Sequence, residues 1–112
     1  MDCLFCKIAA GEIPSAKVYE DERVLVFRDI APAAPVHLLA IPKQHIGSVA
    51  DINDQNSELV GYIFTVIARV AKAEGLENGF RIVSNVGADG GQTVPHLHFH
   101  ILGGRELTWP AG

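Results

Sequence analysis

Residues 96–104 read HLHFHILGG, and three of the chain's five histidines fall at positions 96, 98 and 100 of that stretch. In an extended strand, successive side chains point to opposite faces and rise about 3.4 Å each, so His96, His98 and His100 share one face at roughly 7 Å intervals. Leu97, Phe99 and Ile101 then face the core. A helix would set positions i and i+2 about 200° apart and scatter the three rings. The stretch therefore reads as a strand with one apolar face and one imidazole face. Its outer histidines lie about 14 Å apart along the backbone, too far to converge on one zinc at about 2 Å each. Three unrelated surface histidines on one strand face beside a glycine-rich loop is a poor account of the pattern. A division of labour among the rings is left.

The rest of the chain narrows what that labour is. Its 112 residues fit one domain, which buries roughly 60–70% of its unfolded surface. We read 1–112 as that single domain. A composition of 48% hydrophobic and 20% charged residues is that of a folded globule rather than a disordered chain. Nine Lys and Arg scattered singly, with a net charge of -4, form no stripe that could track a phosphate backbone, so nucleic acid is not the expected partner. No window approaches about 18 uninterrupted apolar residues, and MDCLFCKIAAGEIP lacks the cationic lead of a signal peptide. The expectation is a cytoplasmic protein with no membrane association. In that compartment Cys3 and Cys6 point to a thiol or metal role rather than a stable disulfide.

Residues 3–10 form a short helix stopped by Gly11, with Pro14 blocking extension. KVYE (17–20) and RVLVFRD (23–29) flank Asp21 and Glu22 at hairpin spacing, and VHLLAIP (36–42) is a third strand. Leu59, Ile63, Val66, Ile67 and Val70 recur at helical spacing, predicting one long helix with Asp54 as N-cap and Gly75 as stop. Val60, Tyr62, Phe64 and Ala68 widen its apolar face, as in a helix covered on two sides, and a subunit interface would do that. FRIVSN (80–85) is a fourth strand, VGADGGQTVP a glycine-rich loop, and 96–104 the fifth strand. The layout is α+β, with a mainly antiparallel five-stranded sheet, one long helix and one short one.

VGADGGQTVP leads straight into the histidine strand. Successive backbone N–H groups in such a turn make a concavity for anions, with Gln92 and Thr93 as side-chain donors. An unprotonated imidazole beside a bound anion is a competent nucleophile toward phosphorus. GxxxxGK[ST] and GxGxxG are both absent.

HLHFHIL matches position for position the signature of the histidine triad (HIT) family of nucleotide hydrolases and transferases. CLFCKI with GEIP, VYEDE, FRDI, APVHLLAIPKQHI, the GGQ loop and a closing LGGR with TWPAG extend the likeness along nearly the whole chain. The closing segment resembles the nucleotide-binding, phosphoramidase-type branch. The resemblance implies a HIT-like fold that dimerises into a ten-stranded sheet. It implies that His98 is the nucleophile, taking a nucleoside monophosphate as a covalent intermediate, with His37 orienting its ring and His100 contacting the phosphate. Asn85, Gly91, Gln92 and Thr93 match positions at the phosphate and leaving group. Asp29 matches the ribose-binding carboxylate, and Phe5, Ile8, Phe27, Ile30 and Leu39 match the purine pocket. Trp109 matches a residue of the partner subunit's leaving-group pocket. Thr93 stands where the family often has Ser, and Pro95 where an aromatic residue is common.

The two cysteines alone are half of a zinc site, or equally core thiols. In a subset of the family, zinc is held by residues matching Cys3, Cys6, His45 and His96. Four such ligands leave no open position, so that zinc would be structural. The expected activity is hydrolysis of purine nucleoside 5'-monophosphoramidates. Hydrolysis of dinucleoside polyphosphates, and a non-enzymatic nucleotide-binding zinc dimer, are the competing readings.

Overall fold

Alternation along the strands sorts apolar side chains onto two faces of one sheet. The computed structural model describes residues 3–112. Strands β1 (Lys17–Glu20), β2 (Val24–Arg28), β3 (Val36–Pro42), β4 (Phe80–Val83) and β5 (Phe99–Gly103) form a sheet in the order β1-β2-β3-β5-β4, every neighbouring pair antiparallel. Even-numbered residues of β2 and β3 (Val24, Val26, Leu38, Ala40) join Phe99 and Ile101 of β5 on one face. Helix α2 (Ser57–Ala73) covers that face with Leu59, Ile63, Val66, Ile67 and Val70, as its spacing predicts. Complete burial of Ile63 or Leu38 contributes about 1.5–3 kcal/mol each.

Odd-numbered residues build the opposite face. Leu25, Phe27, Leu39 and Ile41 pack there under Phe5 and Ile8 of the short helix α1 (Leu4–Ala9). Cys3 caps this helix, its Sγ accepting the Cys6 N–H at 3.3 Å, and Gly11 ends it at φ 79°. His37 and His100 fall on this second face because Leu39 pairs with His100 and each is one residue off the α2-facing set. The sheet thus gives one side to a hydrophobic core and the other to the histidines.

Four local expectations are corrected. The fifth strand starts at Phe99 rather than at residue 96. Pro95 has no N–H, and the His96 and Leu97 N–H groups bond Val94 and Ile46 carbonyls instead of a ladder partner. Leu97 still reaches the core with Phe99 and Ile101. Asp54 is not the cap of α2, whose capping position is Asn56; the Asn53 side chain takes the Gln55 and Asn56 N–H groups and forms the turn before it. The glycine-rich loop contains a third helix, one turn long, α3 (Gly87–Gly90). The FRIVSN strand ends at Val83. Among the described residues no helix is long and apolar enough to cross a membrane.

Candidate active site and metal centre

Two clusters of chemistry-bearing side chains meet at His96 and His98. In the first, Cys3 and Cys6 of the α1 turn approach His45 and His96. Cys6 Sγ lies 3.2 Å from His45 Nδ1 and 3.5 Å from His96 Nδ1, Cys3 Sγ lies 3.4 Å from His96 Nδ1, and the two Nδ1 atoms are 3.2 Å apart. The segment before β5 places these rings together, since the Leu97 N–H donates to the Ile46 carbonyl at 2.6 Å and so sets His96 beside His45. A tetrahedral zinc with Zn–S of about 2.3 Å and Zn–N of about 2.0–2.1 Å needs ligand separations of roughly 3.3–3.8 Å. The four separations above, 3.2–3.5 Å, lie at or just under the short end of that range, and all four donor atoms are within 4.8 Å of one another. His96 Nε2 lies 2.9 Å from the Pro42 carbonyl, which only accepts, so Nε2 carries the proton and Nδ1 turns a lone pair to the cluster. Burial, then the hydrogen bond and charge of Cys3, push the Cys6 thiol up. A cation among these atoms would reverse that shift. The residues therefore fit a closed structural metal site.

The second cluster joins β2, β3 and β5. His98 Nδ1 lies 2.7 Å from the His96 carbonyl, which fixes the proton on Nδ1 and leaves Nε2 of the neutral ring with an unshared pair. His37 Nδ1 accepts the Ala33 N–H at 3.0 Å, so the His37 proton is on Nε2. That N–H donates to His100 Nδ1 at 2.8 Å, with Asp29 Oδ2 3.3 Å away, and His100 consequently keeps its proton on Nε2. A nucleophilic nitrogen and an N–H donor thus stand side by side, their ring centroids 5.1 Å apart. His37 bonds His100 and not His98, so the expected direct orientation of His98 by His37 is replaced by the His96 carbonyl. Burial, then the charges of His98 and His37, lower the His100 pKa, while Asp29 opposes the shift.

Both rings open onto a cavity of ≈ 430 Å³. Phe5, Ile8, Phe27, Asp29, Ile30, Leu39 and Thr93 line it with His98 and His100. Phe5 stands edge-on to His98 at 5.1 Å. Asp29 accepts the Ala31 N–H through Oδ1 and turns Oδ2 toward His37. A larger cleft of ≈ 540 Å³ between Gly75–Gly79 and Gly104–Glu106 has neither histidine nor cysteine in its lining.

Other expected site residues lie elsewhere. Asn85 and Gly91 do not line the cavity. Gln92 has both amide N–H donors committed, to the Gly47 and Val94 carbonyls, and its Oε1 accepts the Gly87 N–H. The Gly91 and Gln92 N–H groups close the α3 turn on Ala88 and Gly87, so the expected backbone cradle is not formed by them. Trp109 is 82% exposed and outside the cavity of its own chain. Ser15, not singled out by sequence, lines the cavity with its hydroxyl buried and unpartnered. Only its place beside Pro14 in the GEIP block hinted at it.

An antiparallel α+β sheet carrying an imidazole pair beside a Cys₂His₂ tetrad defines a small class of proteins. The HIT domain family matches residues 10–107. A 14 kDa zinc-binding protein of Zea mays is 51% identical over 111 residues, spanning 97% of this chain and 87% of that relative. An uncharacterised HIT-like protein of Synechococcus elongatus is 50% identical over 111 residues, spanning 99% and 97%. The crystal structure of a HIT family hydrolase from Legionella pneumophila superposes with a TM-score of 0.97 at 56% identity, covering 99% of this chain and 100% of that one. The chain belongs to the HIT domain family.

Proposed function

We propose that this chain hydrolyses purine nucleoside 5'-monophosphoramidates through a covalent intermediate on His98. The observation that carries this reading is the fixed tautomer of His98, with its unshared pair on Nε2 beside an apolar cavity. In the first step that pair attacks phosphorus, the P–N bond of the substrate breaks, and the leaving amine takes a proton from water or a donor at the phosphate. A nucleotidyl group is then bonded to Nε2. Water attacks phosphorus in the second step, releasing the nucleoside monophosphate and restoring the imidazole. His100 Nε2–H donates to a phosphate oxygen throughout. The Asp29 carboxylate accepts ribose hydroxyls, and Phe5, Ile8, Phe27, Ile30 and Leu39 flank the flat base. Thr93, on the cavity wall, borders the leaving group, whereas Gln92 shapes the loop through its bonds to backbone carbonyls.

The Cys3, Cys6, His45 and His96 donors would hold a structural zinc, whose closed coordination fastens α1 to the sheet. The zinc-binding name of the maize relative and the hydrolase name of the Legionella neighbour support these two halves of the reading. Exposed Phe64 and Trp109, and the open outer edge of β4, support a homodimer. The cytoplasm is the compartment in which a reduced cysteine pair persists.

Mass spectrometry of protein quenched during turnover tests the mechanism. A nucleotidyl adduct on His98 is expected; turnover with the adduct on another residue, or none, rules it out. Elemental analysis of protein purified without added metal should find about one zinc per chain.

A further inference from the structure

We propose that His96 is a positioning residue that couples the reactivity of His98 to occupancy of the Cys3, Cys6, His45 and His96 tetrad. The inference rests on the nucleotidyl-transfer reading above. The two ends of His96 serve different sites. Its Nδ1 lies within 3.5 Å of both sulfurs and of His45 Nδ1, and its Nε2–H is fixed on the Pro42 carbonyl. Its backbone carbonyl accepts the His98 Nδ1–H at 2.7 Å. One residue thus holds the metal-facing imidazole and the acceptor that selects the tautomer of His98.

The peptide plane that carries the His96 carbonyl also carries the Leu97 N–H, whose 2.6 Å bond to the Ile46 carbonyl ties that plane to the residue after His45. Residues 96–98 precede β5, and the backbone bonds of His96 and Leu97 run to Val94 and Ile46. With the His45 and His96 rings both released from the tetrad, the Ile46–Leu97 link moves with them and the His96 carbonyl turns away from His98. The His98 Nδ1–H then loses its acceptor, and the proton can move to Nε2, where it occupies the attacking pair.

The same tetrad acts on the cavity through α1. Cys3 caps this six-residue helix and Cys6 lies within it. Between and beside them are Phe5, edge-on to His98 at 5.1 Å and to His96 at 6.0 Å, and Ile8. Both line the cavity. A helix this short has no stability of its own in water. Its attachment by two sulfurs therefore also holds the apolar wall against which a base would lie. Cys₂His₂ ligation leaves no coordination position for substrate, so the coupling is positional. Linkage requires that nucleotide and metal strengthen each other's binding.

The test compares chelator-stripped and zinc-loaded wild-type protein by long-range proton–nitrogen NMR of the histidine side chains, above pH ~8 where imidazoles are neutral. It reads the tautomer of His98 without any turnover. The loaded protein should show the Nδ1–H form alone. The stripped protein should show mixed tautomers, lose amide protection over α1 but keep it in β2, β3 and β5, and bind AMP about tenfold more weakly or worse. Cys6→Ser, purified without a chelator, should give the stripped pattern. An unchanged tautomer with AMP affinity within about twofold overturns the coupling. Loss of protection across the sheet also overturns it, because the tetrad would then clamp the whole fold rather than His98. A tautomer change on stripping, together with no adduct from any phosphoramidate on the loaded protein, upholds the coupling and defeats the nucleotidyl-transfer reading.

Discussion

His37 Nε2 stands 2.8 Å from His100 Nδ1, and the Ala33 N–H on the far side of the His37 ring fixes the proton order of both imidazoles. His100 can therefore offer the cavity a donor and nothing else. His37→Phe keeps a ring in the buried site but leaves His100 free to adopt either tautomer. Selecting the donor form from two near-equal tautomers costs about RT ln 2, roughly 0.4 kcal/mol, so AMP binding should weaken about twofold. Titration calorimetry at neutral pH measures this, and unchanged affinity would show that the proton order is irrelevant.

Removal of the nucleophile has a sharper effect. His98→Ala should lower turnover of a nucleoside phosphoramidate on the order of 10⁴-fold or more, about 5.5 kcal/mol of barrier. Its AMP affinity should change far less, since His100 and the apolar walls remain. Steady-state assays with and without competing AMP separate the two effects, and near-normal hydrolysis would refute the assignment.

The depressed pKa of His100 has a definite sign in stability. Burial lowers it first, with the charges of His98 and His37 adding and Asp29 opposing. The unfolded chain, titrating at about 6.5, then binds the proton before the folded one does. The stabilisation is complete above ~6.5 and is lost as pH falls from there toward the folded value. Denaturant midpoints at pH ~7 and ~5 should therefore differ less in His100→Gln than in the wild type. An equal acid shift in both would assign the effect to other groups.

Period-two patterning made the sheet legible, because Leu97, Phe99 and Ile101 must reach one core whether or not the ladder begins at residue 96. In the structure His96 lies in one donor cluster and His100 in another. What spacing could not supply was hydrogen bonding between distant residues. Nothing in GGQ says that the Gln92 amide will meet the Gly47 carbonyl, 45 positions away, and so leave the ligand. Nor does VHLLA say that His37 will meet His100 rather than His98, which depends on the β3–β5 register. The cap of α2 slipped from Asp54 to Asn56 because both residues, with Asn53, have side chains suited to caps and turns.

Away from the cavity, Asp21 ties the β1–β2 turn to α2. Burial raises its pKa, but hydrogen bonds from Tyr62 and Tyr19 and from the Arg23 and Val24 N–H groups outweigh that and hold it at about 2. A depressed carboxyl stabilises the fold above its unfolded value of about 3.9, and that contribution fades as pH falls through the folded value. Tyr62→Phe keeps the ring under Arg23, 4.8 Å from the guanidinium, and deletes the hydroxyl alone. It should cost about 1.5 kcal/mol at neutral pH and raise the Asp21 pKa. Urea unfolding and carboxyl NMR titration check both, and an unmoved Asp21 would dismiss the network.

β4 bonds only β5, so its outer row of N–H and C=O groups is open among the described residues. Beside this feature α2 exposes 44% of Phe64, whose ring packs 4.9 Å from Phe99, and Phe80 is 40% exposed. An unpaired edge with apolar neighbours invites self-pairing, and a two-fold axis there would join two five-stranded sheets into ten strands. Sedimentation should give twice the 12.0 kDa chain mass. Phe64→Glu places a carboxylate on the surface that would be covered and should yield the single-chain mass with an unchanged circular dichroism spectrum. A wild-type chain that sediments as a monomer at about 100 μM would overturn the pairing, since an interface of the usual size is saturated well below that concentration.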